Sequence, residues 1–230
     1  MSKLTYIDLF AGAGGLSEGF IREMFEPVAH VEMSAEASDT LKTRLAFHYF
    51  NHKKKLQPYY DYLRQDKSRK ELWDEIPQHL VESVINEEIN DKTIESIFQK
   101  IDLQLDERKV DVIIGGPPCQ AYSLVGRSRD PNRMKDDKRN FLFRYYAKFL
   151  IRYKPKYFVF ENVLGLLTAG NAKYLNEMLE LFEEIGYSAD MKVLNSEEYG
   201  VLQKRRRVII IGRKGKTKFN FPELKTIENN

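Results

Sequence analysis

The one cysteine of the chain follows a short apolar run and two prolines. Val110 to Ile114 is typical of a strand buried on both faces, and Gly115 to Pro118 lead from it directly to Cys119. The prolines restrict the backbone, and ligands bind at the carboxyl ends of strands in open α/β sheets. A thiolate placed there could act as a nucleophile, although a lone cysteine is more often an inert buried residue.

A carboxyl group and a basic cluster stand at comparable places. Glu161 ends the apolar run Tyr157 to Phe160, so we expect it at the same sheet edge as Cys119. Arg205, Arg206 and Arg207 directly precede the run Val208 to Ile211, and they reach that edge if this strand runs antiparallel. Such an edge would combine a nucleophile, an acid and donors that hold an anion.

A glycine-rich turn near the start of the chain predicts a nucleotide-binding site. It follows the predicted strand Leu4 to Leu9 and precedes a helical pattern, so free backbone N–H groups would face a ligand. Against the pattern G-x-G-x-x-G, Gly12 and Gly14 match, but Ser17 takes the place of the third glycine. Glu32 ends the next predicted strand, where an acidic group would bind the ribose hydroxyls of an adenosine. This arrangement suits S-adenosylmethionine as well as NAD.

Composition and patterning place these residues in one α/β domain. The chain has 230 residues, 42% of them apolar and 31% charged, which is a globular composition. A single cysteine excludes a disulfide framework and cysteine-based zinc sites, and no apolar run approaches the ~18 residues of a membrane span. The net charge of +3 is too small to name a partner. Short buried strands alternating with helices predict a mostly parallel sheet.

Helices are predicted between the strands, at Phe141 to Tyr153, Tyr174 to Ile185, 78–88 and 91–100. Residues from about 51 to 80 fit the alternation less well, and we interpret them as a helical insertion in a single domain covering residues 1–230. His48 and His52 have the spacing of a metal-binding pair, but nothing nearby completes a site, so no metal is predicted.

Four ordered motifs carry a family resemblance. They are Asp8 to Gly15 (DLFAGAGG), Gly116 to Gln120 (GPPCQ), Glu161 to Val163 (ENV) and Gln203 to Arg207 (QKRRR). Over residues 4–213 the chain resembles the cytosine-C5 DNA methyltransferases. The resemblance implies a Rossmann-like fold that uses S-adenosylmethionine, with a mostly parallel sheet and helices on both faces. It also implies methyl transfer to C5 of a cytosine that is flipped out of double-stranded DNA.

The resemblance assigns roles to individual residues. Cys119 would add to C6 of the cytosine, Glu161 would hold N3 and the exocyclic amine, and Arg205 and Arg207 would contact the base and support the cysteine loop. The cofactor residues it implies are Phe10, Ala11, Gly12, Gly14, Gly15, Glu32, Glu88, Ile89, Pro118 and Leu142. Glu88-Ile89 takes the place of a family Asp-Ile pair, which is a departure from the pattern.

Residues 121–139 have the composition of a mobile, phosphate-facing loop, with six basic and three acidic side chains. Their position directly after the nucleophile favours a lid that closes over DNA. Gln120, Ser123, Gly126 and Arg127 are the substrate-loop residues that this interpretation implies.

Only Arg213 to Asn230 follow Gly212, and the family's target-recognition domain cannot fit into these 18 residues. We therefore expect a catalytic half that needs a second polypeptide for recognition, in the cytoplasm of a prokaryote or encoded by a phage, as part of a restriction-modification system. Three alternatives remain: an NAD-dependent oxidoreductase, a tRNA cytosine-C5 methyltransferase, and an inactive methyltransferase-like chain that binds a partner.

Overall fold

The structure, a computed structural model, describes residues 3–118, 142–170 and 172–227. It divides into two compact units, Met1–Lys109 and Val110–Asn230. The candidate residues Cys119, Gln120, Ser123, Gly126 and Arg127, and the predicted lid at 121–139, lie outside the described residues.

The first unit contains three parallel strands, β1 (Thr5–Leu9), β2 (Glu26–Glu32) and β3 (Val84–Asn86), in the order β3-β2-β1. All five residues of β1 are buried, as expected for a strand covered on both faces. Leu9 pairs with Val31, and Glu32 pairs with Asn86. The three strands therefore end at one edge, which is where the glycine turn begins.

Six helices accompany these strands in the described part of this unit. They are α1 (Gly15–Arg22), α2 (Ala35–His52), α3 (Gln57–Leu63), α4 (Arg69–Asp74), α5 (Gln78–Glu82) and α6 (Ile94–Leu105). Helix α4 begins with a capping box, in which Ser68 and Glu71 each satisfy a backbone N–H of the other. The segment predicted as a helical insertion thus holds three short helices, and Leu72 and Ile76 cluster there with Ala46 and Phe50.

The helix predicted over 78–88 is wrong in its second half. Helix α5 stops at Glu82, and the next residues form β3. Val84 and Ile85 are 6% and 3% exposed and pair with His30 and Val31 of β2. Burial within the sheet therefore outweighs the local helical pattern at this point.

The second unit places the basic cluster next to Glu161. Strand β4 (Val112–Gly115) runs parallel to β5 (Tyr157–Asn162). Strands β6 (Tyr187–Asn195) and β7 (Arg206–Lys214) follow, and β7 lies antiparallel between β5 and β6. Asn162 pairs with Val208, so the start of β7 lies at the edge where β5 ends. The arginines were expected at this edge if the strand that follows them runs antiparallel, and the direction of β7 confirms this.

Two helices and an aromatic core hold β5 in place. Helix α7 (Leu142–Tyr153) precedes β5, and α8 (Lys173–Glu184) precedes β6. Phe158 and Phe160 pack against Tyr146 of α7 and Phe182 of α8, with ring centroids 4.6 to 6.1 Å apart. A β-carbon at Gly212 would lie only 2.0 Å from the Phe158 ring, so glycine is needed there. The strand that carries Glu161 is thus closely packed.

Most of the strand pairs are parallel and alternate with helices, which confirms the predicted α/β class. Within the described residues, no helix combines the length and apolar character needed to cross a membrane.

Candidate active site

The glycine turn after β1 has an unusual backbone. Phe10 has a φ of +58°, and Gly12 and Gly14 have φ values of +55° and +83°. A bulky residue in the left-handed region is rare and is found mostly at functional sites. Ala11 continues the strand pairing by donating its N–H to Val31 O at 3.1 Å. A β-carbon at Gly14 would lie 2.7 Å from Leu41 Cδ2, and the left-handed backbone there would strain a larger residue.

Glu32 connects this turn to the end of β2. One carboxylate oxygen accepts the N–H of Gly12 at 2.8 Å, and the other accepts the N–H of Ser34 at 2.8 Å. Each oxygen has a second acceptor site that remains for a ligand hydroxyl. The predicted ribose-binding carboxylate is therefore held rigidly beside the turn and keeps the capacity to bind a diol.

Asp8 and Ser17 fix the two ends of the turn to each other. Both are 1% exposed, and the Ser17 hydroxyl donates to Asp8 Oδ2. Ser17 takes the place of the third glycine in the pattern G-x-G-x-x-G. Its hydroxyl makes a buried hydrogen bond that a glycine could not make. Burial raises the pKa of Asp8 to about 7, and the negative charge of Glu32 adds to this effect against the hydrogen bond from Ser17.

Asp8→Asn should remove a decrease in the free energy of unfolding that accompanies rising pH in the wild-type chain. The folded chain keeps a proton on Asp8 up to a pKa of about 7, whereas an unfolded chain releases it near 3.8. The free energy of unfolding therefore falls as the pH rises from 5 to 7, by about 3 kcal/mol at about 1.36 kcal/mol per pH unit, because the unfolded chain releases the proton of Asp8 and the folded chain keeps it. Asparagine keeps an acceptor for Ser17 and cannot ionise. Urea unfolding of both proteins at pH 5 and pH 8 measures the difference, and a difference that does not change with pH contradicts the assignment.

The pair Glu88-Ile89 begins two residues after β3, which ends at the same edge as Glu32. Ile89 is 4% exposed, whereas Glu88 is exposed and its carboxylate accepts the Asn90 side-chain amide at 3.2 Å. Asn86, which the sequence analysis did not single out, donates to the carbonyls of Glu32 and Met33 at 2.9 and 3.0 Å. These bonds fix the backbone next to Glu32.

Glu32→Gln is expected to weaken binding of S-adenosylmethionine about tenfold, with duplex DNA affinity nearly unchanged. The neutral amide accepts hydrogen bonds less strongly than the carboxylate, and its N–H₂ group faces the donors that now bind Glu32. Calorimetry with S-adenosylhomocysteine and anisotropy of labelled DNA measure the two affinities. Glu36→Gln, at an exposed position in the first turn of α2, is the matched control. Equal losses for ligand and DNA would contradict a role in cofactor binding.

His48 takes part in an ion-pair cluster. Its Nε2 lies 2.9 Å from Glu18 Oε2, and Arg22 donates to the other oxygen of Glu18 at 2.9 Å. Burial alone would raise the pKa of Glu18, but hydrogen bonds from His48, Arg44 and Arg22 outweigh it and lower the pKa to about 2. In the described residues, no three His, Cys, Asp or Glu side chains are grouped to hold a metal ion.

Within the second unit, the structure brings Glu161, Arg205 and Arg207 together. Arg207 Nε donates to Glu161 Oε1 at 2.7 Å, and Arg205 Nη2 lies 3.4 Å from the same oxygen. The Glu161 side chain is 23% exposed, so a ligand can still reach it. Charge-assisted hydrogen bonds of this kind hold a carboxylate in one orientation.

Gly116 lies against the second oxygen of this carboxylate. A β-carbon there would lie 2.9 Å from Glu161 Oε2 and 3.1 Å from the Glu161 carbonyl oxygen. A larger residue at this position would displace the Glu161 carboxylate. The start of the Gly-Pro-Pro segment, which leads to Cys119, thus lies directly beside Glu161.

Asn162 holds the same segment from a second side. It is 2% exposed, and its side-chain amide donates to the Pro117 carbonyl at 3.3 Å. Its side-chain oxygen accepts the N–H of Val163 at 2.9 Å. The ENV motif therefore supplies the carboxylate through Glu161 and a bond that positions the proline segment through Asn162.

Ser196 positions Arg205. Its hydroxyl accepts the Arg205 N–H at 3.0 Å, and its own N–H donates to the Arg205 carbonyl at 2.9 Å. Ser196 and Asn162, like Asn86 in the first unit, have roles that the sequence analysis missed. The position of Asn162 inside the ENV motif was a usable signal, whereas Ser196 carried none.

Pro118 and Leu142 border the part of the chain that is outside the described residues. Both are half-buried, and Leu142 is the first residue of α7. Their assignment to the cofactor pocket stays a prediction.

Comparison with known proteins identifies the family. A profile described as C-5 cytosine-specific DNA methylase matches residues 4–67 and 65–230. The type II methyltransferase M.Bpa9945I of Bacillus paralicheniformis is 40% identical over 247 residues, which cover 95% of this chain and 56% of that protein. M1.HphI of Haemophilus parahaemolyticus, also named a type II methyltransferase, is 34% identical over 228 residues, covering 99% of this chain and 50% of that protein.

A solved structure supports the fold. The Entamoeba histolytica methyltransferase EhMeth superposes with a TM-score of 0.60 at 16% identity, covering 100% of this chain and 58% of that chain. This agreement confirms the predicted Rossmann-like methyltransferase fold. The chain spans about half the length of the curated relatives it matches. Because the family profile matches nearly all of its residues, the chain belongs to the C-5 cytosine-specific DNA methylase family.

Proposed function

We propose that this chain transfers a methyl group from S-adenosylmethionine to C5 of a cytosine flipped out of double-stranded DNA, through a covalent bond to Cys119. The observation that carries the proposal is the cluster at the end of β5. There, Glu161 is held by Arg205 and Arg207 and lies against Gly116, three residues before Cys119. A carboxyl group, two guanidinium groups and the segment that leads to a thiol are the parts this reaction needs.

The chemistry follows from the weak reactivity of cytosine C5. The electron pair of the Cys119 thiolate forms the S–C6 bond, and the C5=C6 pair moves into the ring while N3 takes a proton. C5 would then be nucleophilic enough to take the methyl group, and the sulfonium sulfur that carried it would keep the electron pair of the broken bond, which leaves S-adenosylhomocysteine. Loss of the C5 proton to a base restores the C5=C6 bond, the S–C6 bond breaks, the thiolate is released and N3 gives up its proton. Base flipping is required because C6 and C5 are not accessible within the stacked duplex.

Glu161 is the group that we assign to the N3 side of the base. Its carboxyl group would bind N3–H and the exocyclic amine and thereby stabilise the protonated ring. Arg207 and Arg205 bind the same carboxylate oxygen, which leaves Oε2 on the Gly116 side for the base. Asn162 would hold the proline segment beside that oxygen, because its side-chain amide donates to the Pro117 carbonyl.

The first unit supplies groups that fit the cofactor. S-adenosylmethionine provides an electrophilic methyl group when it is bound. Glu32 would accept the ribose hydroxyls, Phe10 would stack on the adenine, and the turn from Ala11 to Gly15 would face the methionine part. The left-handed backbone of Phe10 and Gly12 and the fixed Glu32 carboxylate support this fit. Ile89, which is buried, would add an apolar contact.

We also propose that both units form one catalytic domain. The family profile matches residues in each of them, which supports this proposal, and the curated relatives cover nearly all of the chain. Those relatives are named type II methyltransferases, which favours a restriction-modification role in a bacterial cytoplasm.

Transfer of a tritiated methyl group to duplex DNA and to tRNA tests the substrate. We expect transfer to duplex DNA and none to tRNA. Transfer to tRNA alone would overturn the DNA assignment.

A further inference from the structure

A short loop before β7 is fixed at its base and exposes an apolar tip. We call residues 200–204 the tip loop. Ser196 closes its base, because its hydroxyl accepts the Arg205 N–H at 3.0 Å and donates to the Gln203 carbonyl. Gly200 has a φ of +81°, and Val201 donates its N–H to Ser196 O at 3.2 Å. The tip loop therefore has a defined shape without help from the side chains at its tip.

The side chains at the tip are apolar and exposed. Leu202 is fully exposed, and Val201 is 49% exposed. Scattered exposed apolar residues are ordinary, so exposure alone carries little weight. Here, however, a run of four basic residues, 204–207, begins at the last residue of the tip loop, whereas two acidic residues, Glu197 and Glu198, stand shortly before it. An apolar tip beside a basic run suits a polyanion with apolar surfaces, which is the chemistry of a nucleic acid.

The tip lies close to the proposed reaction centre. Arg205 reaches Glu161 with a distance of 3.4 Å, and Leu202 stands three residues earlier in the chain. Since a residue spans at most about 3.6 Å along the chain, the α-carbons of Leu202 and Arg205 lie within about 11 Å of each other. A flipped cytosine stays attached to its backbone, so the duplex must pass near any group that binds the base. Leu202 is therefore placed where the duplex would approach.

We propose that Val201 and Leu202 form an apolar wedge that contacts the duplex beside the flipped cytosine, an inference that rests on the proposed function. The wedge would cover the stacking surface that the departing base exposes on its neighbours, and Lys204 and Arg206 would bind the adjacent phosphates. Apolar side chains that insert between base steps lower the cost of an unstacked state in this way. The contribution of Leu202 is thus expected in base flipping more than in general DNA affinity.

The test compares trapping rates on two duplexes that contain 5-fluorocytosine. In the first duplex the target is paired with guanine, and in the second it faces an abasic site, so flipping costs less. We expect Leu202→Ala to slow covalent trapping about tenfold on the paired duplex and by less than about threefold on the abasic one. Leu202→Glu should also weaken duplex binding about tenfold, because its charge repels phosphates.

Ile151→Ala and Ile151→Glu are the matched controls. Ile151 is 53% exposed in the same unit, has basic neighbours in Lys148 and Arg152, and lies near the end of α7, before β5 begins. Wild-type trapping rates for both Leu202 variants, or equal slowing by the Ile151 variants, would overturn the wedge while leaving the proposed function in place. Absence of trapping by the wild-type chain would overturn both.

Discussion

Glu161→Gln should lower methyl transfer to duplex DNA by about 10²–10⁴-fold while the affinity for S-adenosylmethionine stays nearly unchanged. Glutamine keeps the size of the side chain but cannot stabilise a protonated ring or form the ion pairs with Arg205 and Arg207. Tritiated methyl transfer under single-turnover conditions measures the chemical step, and calorimetry with S-adenosylhomocysteine measures the affinity.

Glu183→Gln provides the control for this substitution. Glu183 is an exposed carboxylate on α8, in the same unit, and its replacement should leave both quantities at wild-type values. If Glu161→Gln reduced cofactor affinity as much as turnover, Glu161 would belong to the cofactor site and the assignment of roles would be wrong.

Cys119→Ala should reduce methyl transfer by about 10³-fold or more. Without a thiolate, C5 of cytosine has no route to become nucleophilic. The affinity for duplex DNA should stay within about threefold of wild type, because the contacts to the DNA do not depend on the thiol.

Gel shifts and single-turnover transfer on the same duplex separate these two effects. Transfer by Cys119→Ala at a rate comparable with the wild-type chain would exclude a covalent mechanism. Loss of DNA binding together with activity would indicate a structural role for this residue instead.

Apolar runs along the sequence predicted five strands and missed two others. The runs at β1, β2, β4, β5 and β7 are short and continuous, which predicts strands, and β7 proves to be antiparallel. Strand β6 contains Asp190 and Lys192 and is mostly half-buried or exposed, so no apolar run marks it. Strand β3 has only three residues, and its pairing with β2 determines it more than its own sequence does.

The candidate site shows the same division between local and tertiary signals. The motif Glu161 to Val163 at the end of a strand predicted the position of the carboxylate, and the run before β7 predicted the arginines beside it. The bond from Asn162 to Pro117 joins residues 45 positions apart, and Ser196 reaches Arg205 across a loop. Such contacts depend on how the strands are arranged, so spacing along the sequence does not reveal them.

Covalent trapping on DNA that carries 5-fluorocytosine tests the central claim most directly. Fluorine at C5 cannot leave as the proton does, so the adduct accumulates even when turnover is slow. The wild-type chain, incubated with S-adenosylmethionine and a duplex that contains the analogue, should give a protein–DNA complex that survives denaturation, and its mass should correspond to a bond at Cys119. The Cys119→Ala variant should give none. A complex that forms equally with this variant, or a wild-type chain that methylates cytosine without ever being trapped, would contradict the covalent mechanism.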